Sequence, residues 1–257
     1  MSKTLGGSIF VRNGVKYDYC FRESILSLLQ FCDQVSCVVV EGEDETEKII
    51  QQLEIENKNL LVTYLPKEEW DAQQGKAQSK LCYFTDIAIS RLETDYNFYQ
   101  QADEILHENC YQKVRDVIQS GEDAYFCTRI NLWQSPYLRL DVPQDRKPCS
   151  TEIIRLAKTQ YRSYGDAESL AVPTADFSAL NDIRMYHMGF VRDRNIMKAK
   201  VINMQEGVFE MGSHDVKLDG SDIFQPELWF GKEDLKPIDE PLPELIKDWA
   251  KQRVYKP

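Results

Sequence analysis

No basic tract runs through this chain, and it contains no Cys-x-x-Cys pair, no Gly-x-x-x-x-Gly-Lys loop and no long apolar run. Each absence narrows the function. Lysine and arginine total 31 against 42 acidic residues, a formal charge of -11. A nucleic-acid backbone or an anionic membrane is therefore not the expected main partner. A phosphorylated small molecule remains compatible, because a metal or a few lysines can hold one locally. The seven cysteines form an odd count, mostly among apolar neighbours, where cysteine behaves as a small hydrophobe. That usage points to a reducing compartment and indicates neither a disulfide framework nor a structural zinc site. Nothing approaches the ~20 apolar residues that span a bilayer, and Met1 to Gly7 lacks the pattern of a secretion signal. The expectation is a soluble, cytoplasmic protein with no transmembrane segment. Internal repeats and low-complexity segments are also missing.

What the chain does have is core-forming material and a regular alternation. Hydrophobic residues make up 42% and aromatics 11% of 257 residues, enough for one large domain or two small ones. Ser8 to Val11 predicts a strand, and Phe21, Ile25, Leu28, Leu29 and Cys32 repeat at helical spacing. Val35 to Val40 is a β-branched run that predicts a strand buried on both faces. Thr46, Ile49, Ile50 and Leu53 predict a helix, Leu60 to Leu65 a strand, and Ala77 to Leu92 a long helix. Tyr96 to Gln100 is the fourth strand expected. Beyond a helix at Tyr111 to Ile118, strands are expected at Tyr125 to Trp133, Glu152 to Leu156, Gln160 to Tyr164 and Ile183 to His187. Val191 to Met204 reads as helical. From Glu206 the chain is acidic and proline-spotted, with Leu245 to Trp249 the next regular stretch. Such alternation implies an α/β fold with a mostly parallel central sheet and helices on both faces.

Ligands of such sheets bind at the carboxyl ends of the strands. Here those ends carry Arg12, Glu41 to Asp44, Lys67 to Asp71 and Gln101 to Glu104. Asp103 and Glu104, directly after an apolar strand, suit a hard cation shared with substrate phosphates. Capping of the following turn is the alternative for the same pair. Asp166, after Gly165 in a polar turn, suits an exposed site carboxylate, with Glu168 competing, and it is the candidate general base for the transfer that the resemblance given below implies. An ordinary turn aspartate is the other reading.

Phe98 to Glu108 (FYQQADEILHE) resembles the metal-binding segment of family 2-like glycosyltransferases of the GT-A fold. Other pieces resemble that family in the same order: Phe10 to Gly14 with the helix after it, Val38 to Thr46, Trp70-Asp71 with Gly75-Lys76, Tyr161 to Glu168, and Tyr186 to Arg192. The match spans most of Ser8 to Lys200. It implies a GT-A-like domain over residues 1–205, with a donor half at about 8–108 and an acceptor half at about 109–205. Residues 206–257 would be an acidic extension packed on the same domain. The implied activity is inverting transfer of a sugar from a UDP- or GDP-linked donor to a hydroxyl of a saccharide or other acceptor. Gln101-Ala102-Asp103 stands where an Asp-x-Asp motif grips metal and diphosphate, so Gln101 replaces the first carboxylate and Asp103 is the implied ligand. His187 stands where a histidine can complete a Mn²⁺ or Mg²⁺ site, imidazole being more typical of manganese. The implied donor contacts are Arg12, Glu41, Lys76, Lys80, Gln101, Asp103 and Arg192.

Two other readings remain open. A catalytically silent binding module of the same fold is kept alive by Gln101. A sugar-nucleotide nucleotidyltransferase would need a glycine-rich loop after its first strand, and Arg12-Asn13-Gly14-Val15-Lys16 does not supply one.

Overall fold

In a computed structural model, which describes residues 2–74, 79–143, 150–173, 177–204 and 230–253, the first hundred residues form a parallel unit. Its strands are β1 (Leu5–Val11), β2 (Gln34–Val40), β3 (Leu60–Leu65) and β4 (Tyr96–Tyr99), joined through α1 (Phe21–Phe31), α2 (Thr46–Glu56), α3 (Lys67–Asp71) and α4 (Lys80–Ser90). β1 pairs in parallel with β2 on one side and β4 on the other, and β2 pairs in parallel with β3. The period-2 alternation of the strands sorts their side chains between two helical layers. Val35, Cys37 and Val39 join Phe21, Ile25, Leu28 and Phe31 of α1 in one cluster. Val38 and Val40 face the opposite way, onto Trp70 and onto Phe84 and Ala88 of α4. Helices thus cover both faces, as the alternation predicts.

The second half continues the sheet in mixed orientation. It comprises β5 (Glu104–Leu106), α5 (Tyr111–Val117), β6 (Ala124–Trp133), β7 (Ser135–Leu140), β8 (Glu152–Lys158), β9 (Arg162–Tyr164), β10 (Ser169–Ala171), β11 (Phe177–Phe190), α6 (Arg194–Asn203), β12 (Leu235–Pro237) and α7 (Lys247–Lys251). Among the described residues the main sheet runs β3-β2-β1-β4-β8-β6-β7-β12, with β11 beside β6 and β5 beside β11. β8 lies antiparallel to both β4 and β6, whereas β11 runs parallel to β6. Val35 to Val40 and Tyr96 to Tyr99 belong to one sheet, as expected.

Several boundaries differ from the sequence reading. The strand expected at Gln160 to Tyr164 begins only at Arg162, because Thr159 and Gln160 turn the chain. The helix expected from Val191 starts at Arg194, where Asp193 caps it by accepting from the Asn195 amide at 2.8 Å. The long helix expected from Ala77 is α4, opening at Lys80 behind a Ser79 cap that accepts from the Cys82 amide; residues 75–78 lie outside the described residues. β11 is far longer than Ile183 to His187, and β7, with Pro136 inside it, was not expected.

The described part of the C-terminal region packs on this body. β12 pairs with β7, and Phe230 meets Trp133 edge-on with centroids 4.8 Å apart. Leu242, Ile246, Trp249 and Ala250 bury against Cys20, Ile105, Leu132, Tyr186 and Met188. The six described cysteines are free and buried. Among the described residues no helix is long and apolar enough to cross a membrane.

Candidate active site

The carboxyl ends of β1 and β2 carry a base of aromatic and cationic groups. After β1 the chain makes a left-handed turn at Asn13 (φ 53°), whose Oδ1 accepts from the Glu43 amide at 2.8 Å. Gly42 is required there, since a Cβ would fall 2.2 Å from that same oxygen. Arg12 donates from Nε to the Glu41 carbonyl at 3.2 Å and lies over the Trp70 ring at 4.6 Å. Lys80, expected to reach a diphosphate, is buried with its ammonium 4.9 Å from the same ring and bonded to Gln74 Oε1. Trp70 itself stacks with Phe84 and Phe10. Glu41 accepts from the Lys67 amide at 3.1 Å. Lys76 lies outside the described residues.

Asp103 sits in the turn between β4 and β5, almost fully buried. The structure brings it together with His187, Arg192 and Lys200. His187 Nε2 lies 3.8 Å from Asp103 Oδ1, while Arg192 and Lys200 approach Oδ2 at 3.6 and 3.1 Å. Burial alone would raise the Asp103 carboxyl, but Lys200, then His187 and Arg192, outweigh it and hold the group far below the usual carboxylate range. Burial pushes the His187 imidazole down to about 4, so the ring is neutral at neutral pH. Its Nδ1 shares a 2.8 Å hydrogen bond with Asn131 Oδ1. Gly189 is obligatory beside it, because a Cβ would lie 2.4 Å from both Cε1 and Nε2 of the ring. α6 spans the strand ends here, with Lys200 on Asp103 and Met204 packed on the cluster that holds Phe10 and Trp70.

Gln101 links this corner to the turn carrying Asp166. Its amide Nε2 donates to the Ala167 carbonyl at 3.1 Å, and the Tyr99 hydroxyl donates to the same oxygen at 2.9 Å. The turn is strained: Gly165 and Ala167 have φ of 66° and 63°, a region an alanine rarely adopts. Held this way, Asp166 is half-buried, and burial followed by the charge of Glu168 raises its carboxyl above the ordinary value. A proton acceptor suits that environment. Glu168, the competing base, is already committed. It takes the Arg129 guanidinium and accepts from the Ser150 amide at 2.8 Å, and burial is outweighed by Arg129, so its carboxyl is lowered. Behind both turns, Glu104 and Arg155 form a fully buried pair at 2.7 Å, with Arg129 3.6 Å from the same carboxylate oxygen.

Cationic side chains stand at the corner where the resemblance implies a metal. Among the described residues no three His, Cys, Asp or Glu side chains gather around a common point. Gln101 donates from Nε2 to the Ala167 carbonyl, and two cations face Asp103 Oδ2. The ligating edge of His187 packs on Gly189.

Sequence reasoning missed Lys200, Asn131 and the Arg129–Glu104–Arg155 cluster. Lys200 carries no signal, being one lysine on a polar helix. The arginines do carry one: Arg129 and Arg155 stand inside apolar strand runs, where a charge demands a partner.

No family model matches this chain, and no curated protein matches it. Among solved structures it is similar to S. aureus TarS 1–349 in complex with UDP-GlcNAc, at 14% identity and TM-score 0.49, over 79% of this chain and 67% of that one. A crystal structure of S. aureus TarS matches at 14% identity and TM-score 0.46, and this chain spans 40% of its length and is covered over 79%. A putative glucose-1-phosphate thymidylyltransferase from Bacillus anthracis aligns over 61% of this chain and 72% of its own, at 11% identity and TM-score 0.37.

Proposed function

We propose that this protein is a nucleotide-sugar-dependent glycosyltransferase that moves a hexose from a UDP- or GDP-linked donor to an acceptor hydroxyl with inversion. One observation carries the reading: the hydrogen bond from Gln101 to Ala167 couples the Asp103 corner to a strained turn bearing a raised, half-buried carboxylate. Charge recognition and proton acceptance are thus separate groups on adjoining loops. The nucleoside would lie on the Arg12, Glu41 and Trp70 side, and the diphosphate at the Asp103 corner. As the acceptor oxygen attacks the anomeric carbon, Asp166 takes its proton, and the bond from that carbon to the β-phosphate oxygen breaks. The electron pair leaves with the nucleoside diphosphate. The order of the motifs in the sequence supports the same reading.

The test is release of UDP or GDP from a panel of UDP- and GDP-linked hexoses by purified protein, with water or simple saccharides as acceptor. Release from at least one donor is the expected result. No release, together with no UDP or GDP binding at millimolar concentration, would favour the silent module.

A further inference from the structure

We infer that Lys200, backed by Arg192, holds the donor diphosphate in place of a divalent cation. The inference rests on the donor reading above and deepens it. The carboxylate of Asp103 has Lys200 Nζ at 3.1 Å and an Arg192 nitrogen at 3.6 Å. Two cationic side chains thus converge on one carboxylate. A divalent ion on that carboxylate would put positive charge at the same corner, and here two side chains put it there instead. Bringing a dication in as well would place it against two like charges, which opposes its binding.

The two cations divide the work by their anchoring. Arg192 is almost fully buried; it donates to the Tyr17 carbonyl at 2.6 Å and the Met188 carbonyl at 3.1 Å, and lies over the Tyr19 ring. It is fixed and cannot follow a ligand. Lys200 is more open, with 15% of its side chain exposed, and donates to Asp103 and to the Gly189 carbonyl. Its long stem lets the ammonium shift onto a phosphate oxygen without moving the backbone. α6 keeps the stem in place, capped by Asp193 at one end and packed through Met204 at the other. Gln101 fits the same scheme. A carboxylate in its place would add a negative charge with no metal to offset it and could not donate to Ala167.

Calorimetric titration of UDP, GDP, uridine and guanosine into wild type, Lys200→Met and Lys200→Arg, each in EDTA and in manganese, tests this. One diphosphate should bind wild type with a Kd that agrees within about twofold between the two buffers. Lys200→Met should weaken that diphosphate by roughly 10–100-fold, the scale of a charge-assisted contact. It should leave the matching nucleoside unchanged, and Lys200→Arg should restore most of the loss. Diphosphate binding that requires manganese, or that Lys200→Met leaves intact, overturns the inference while the donor reading stands. If neither diphosphate binds wild type in either buffer, the donor reading fails and the inference with it.

Discussion

At the scale of single residues, the site is organised by which carboxylates are free. Asp103, Glu104 and Glu168 are each matched to cations, while at Asp166 burial and the like charge of Glu168 outweigh the pull of Arg129 and of backbone amides. Asp166→Asn should lower transfer by roughly 10²–10⁴, the usual scale for losing a general base, and leave diphosphate affinity unchanged. In wild type, the acid limb of the pH–rate profile should lie above the ordinary carboxylate value of about 4 and vanish in the variant. Stability supplies a second readout. A raised carboxyl binds its proton more tightly in the folded state than in the unfolded one. Ionised Asp166 therefore costs stability at neutral pH, and the cost is relieved as pH falls through its folded pKa. Thermal melts should show Asp166→Asn more stable than wild type at pH 7, with the gap closing towards pH 4. A variant less stable than wild type at pH 7 would mean that Asp166 holds the turn together.

Secondary-structure elements meet the site through one buried ionic cluster. Glu104 opens β5, Arg155 lies in β8 and Arg129 in β6, so three strands distant in sequence share one carboxylate. Glu104→Ala would leave Arg155 buried and unpaired, and should destabilise the fold by about 3–5 kcal/mol, read as a lowered urea midpoint. A loss below about 1 kcal/mol would show that solvent reaches the cluster. These elements also mark how far the sequence could be read. β2 was legible because Val35 to Val40 is a β-branched run that reads as a strand with two covered faces, and α1 because its apolar residues recur every three or four positions. β5, β10 and β12 are three residues each, too short to display any period. The meeting of Asp103 with His187 and Arg192 was foreshadowed by short motifs; that of Asp103 with Lys200 was not, because it depends on where α6 crosses the strand ends. That crossing is a tertiary fact with no local trace.

For the whole molecule, the described C-terminal region is part of the core. Ile246 is fully buried between elements from both halves, in the cluster with Cys20, Leu132 and Tyr186. Ile246→Ala should therefore cost about 2–5 kcal/mol, the range for truncating a core isoleucine, measurable by equilibrium unfolding. A cost near zero would mean that the segment from Leu242 onward is dispensable. The same long-range wiring sets a timetable for synthesis. β4 ends at Tyr99 and its antiparallel neighbour β8 begins at Glu152. At ~5–20 residues per second, the ribosome takes roughly 3–10 s to make the chain between them. A parallel unit that folded in that interval would have β4, which pairs with β8 in the finished sheet, as an uncovered edge. Such an edge is a template for pairing with other nascent chains. A nascent chain stalled before Glu152 should therefore aggregate more readily than one stalled after Lys158, which ribosome-release assays on the two lengths would check.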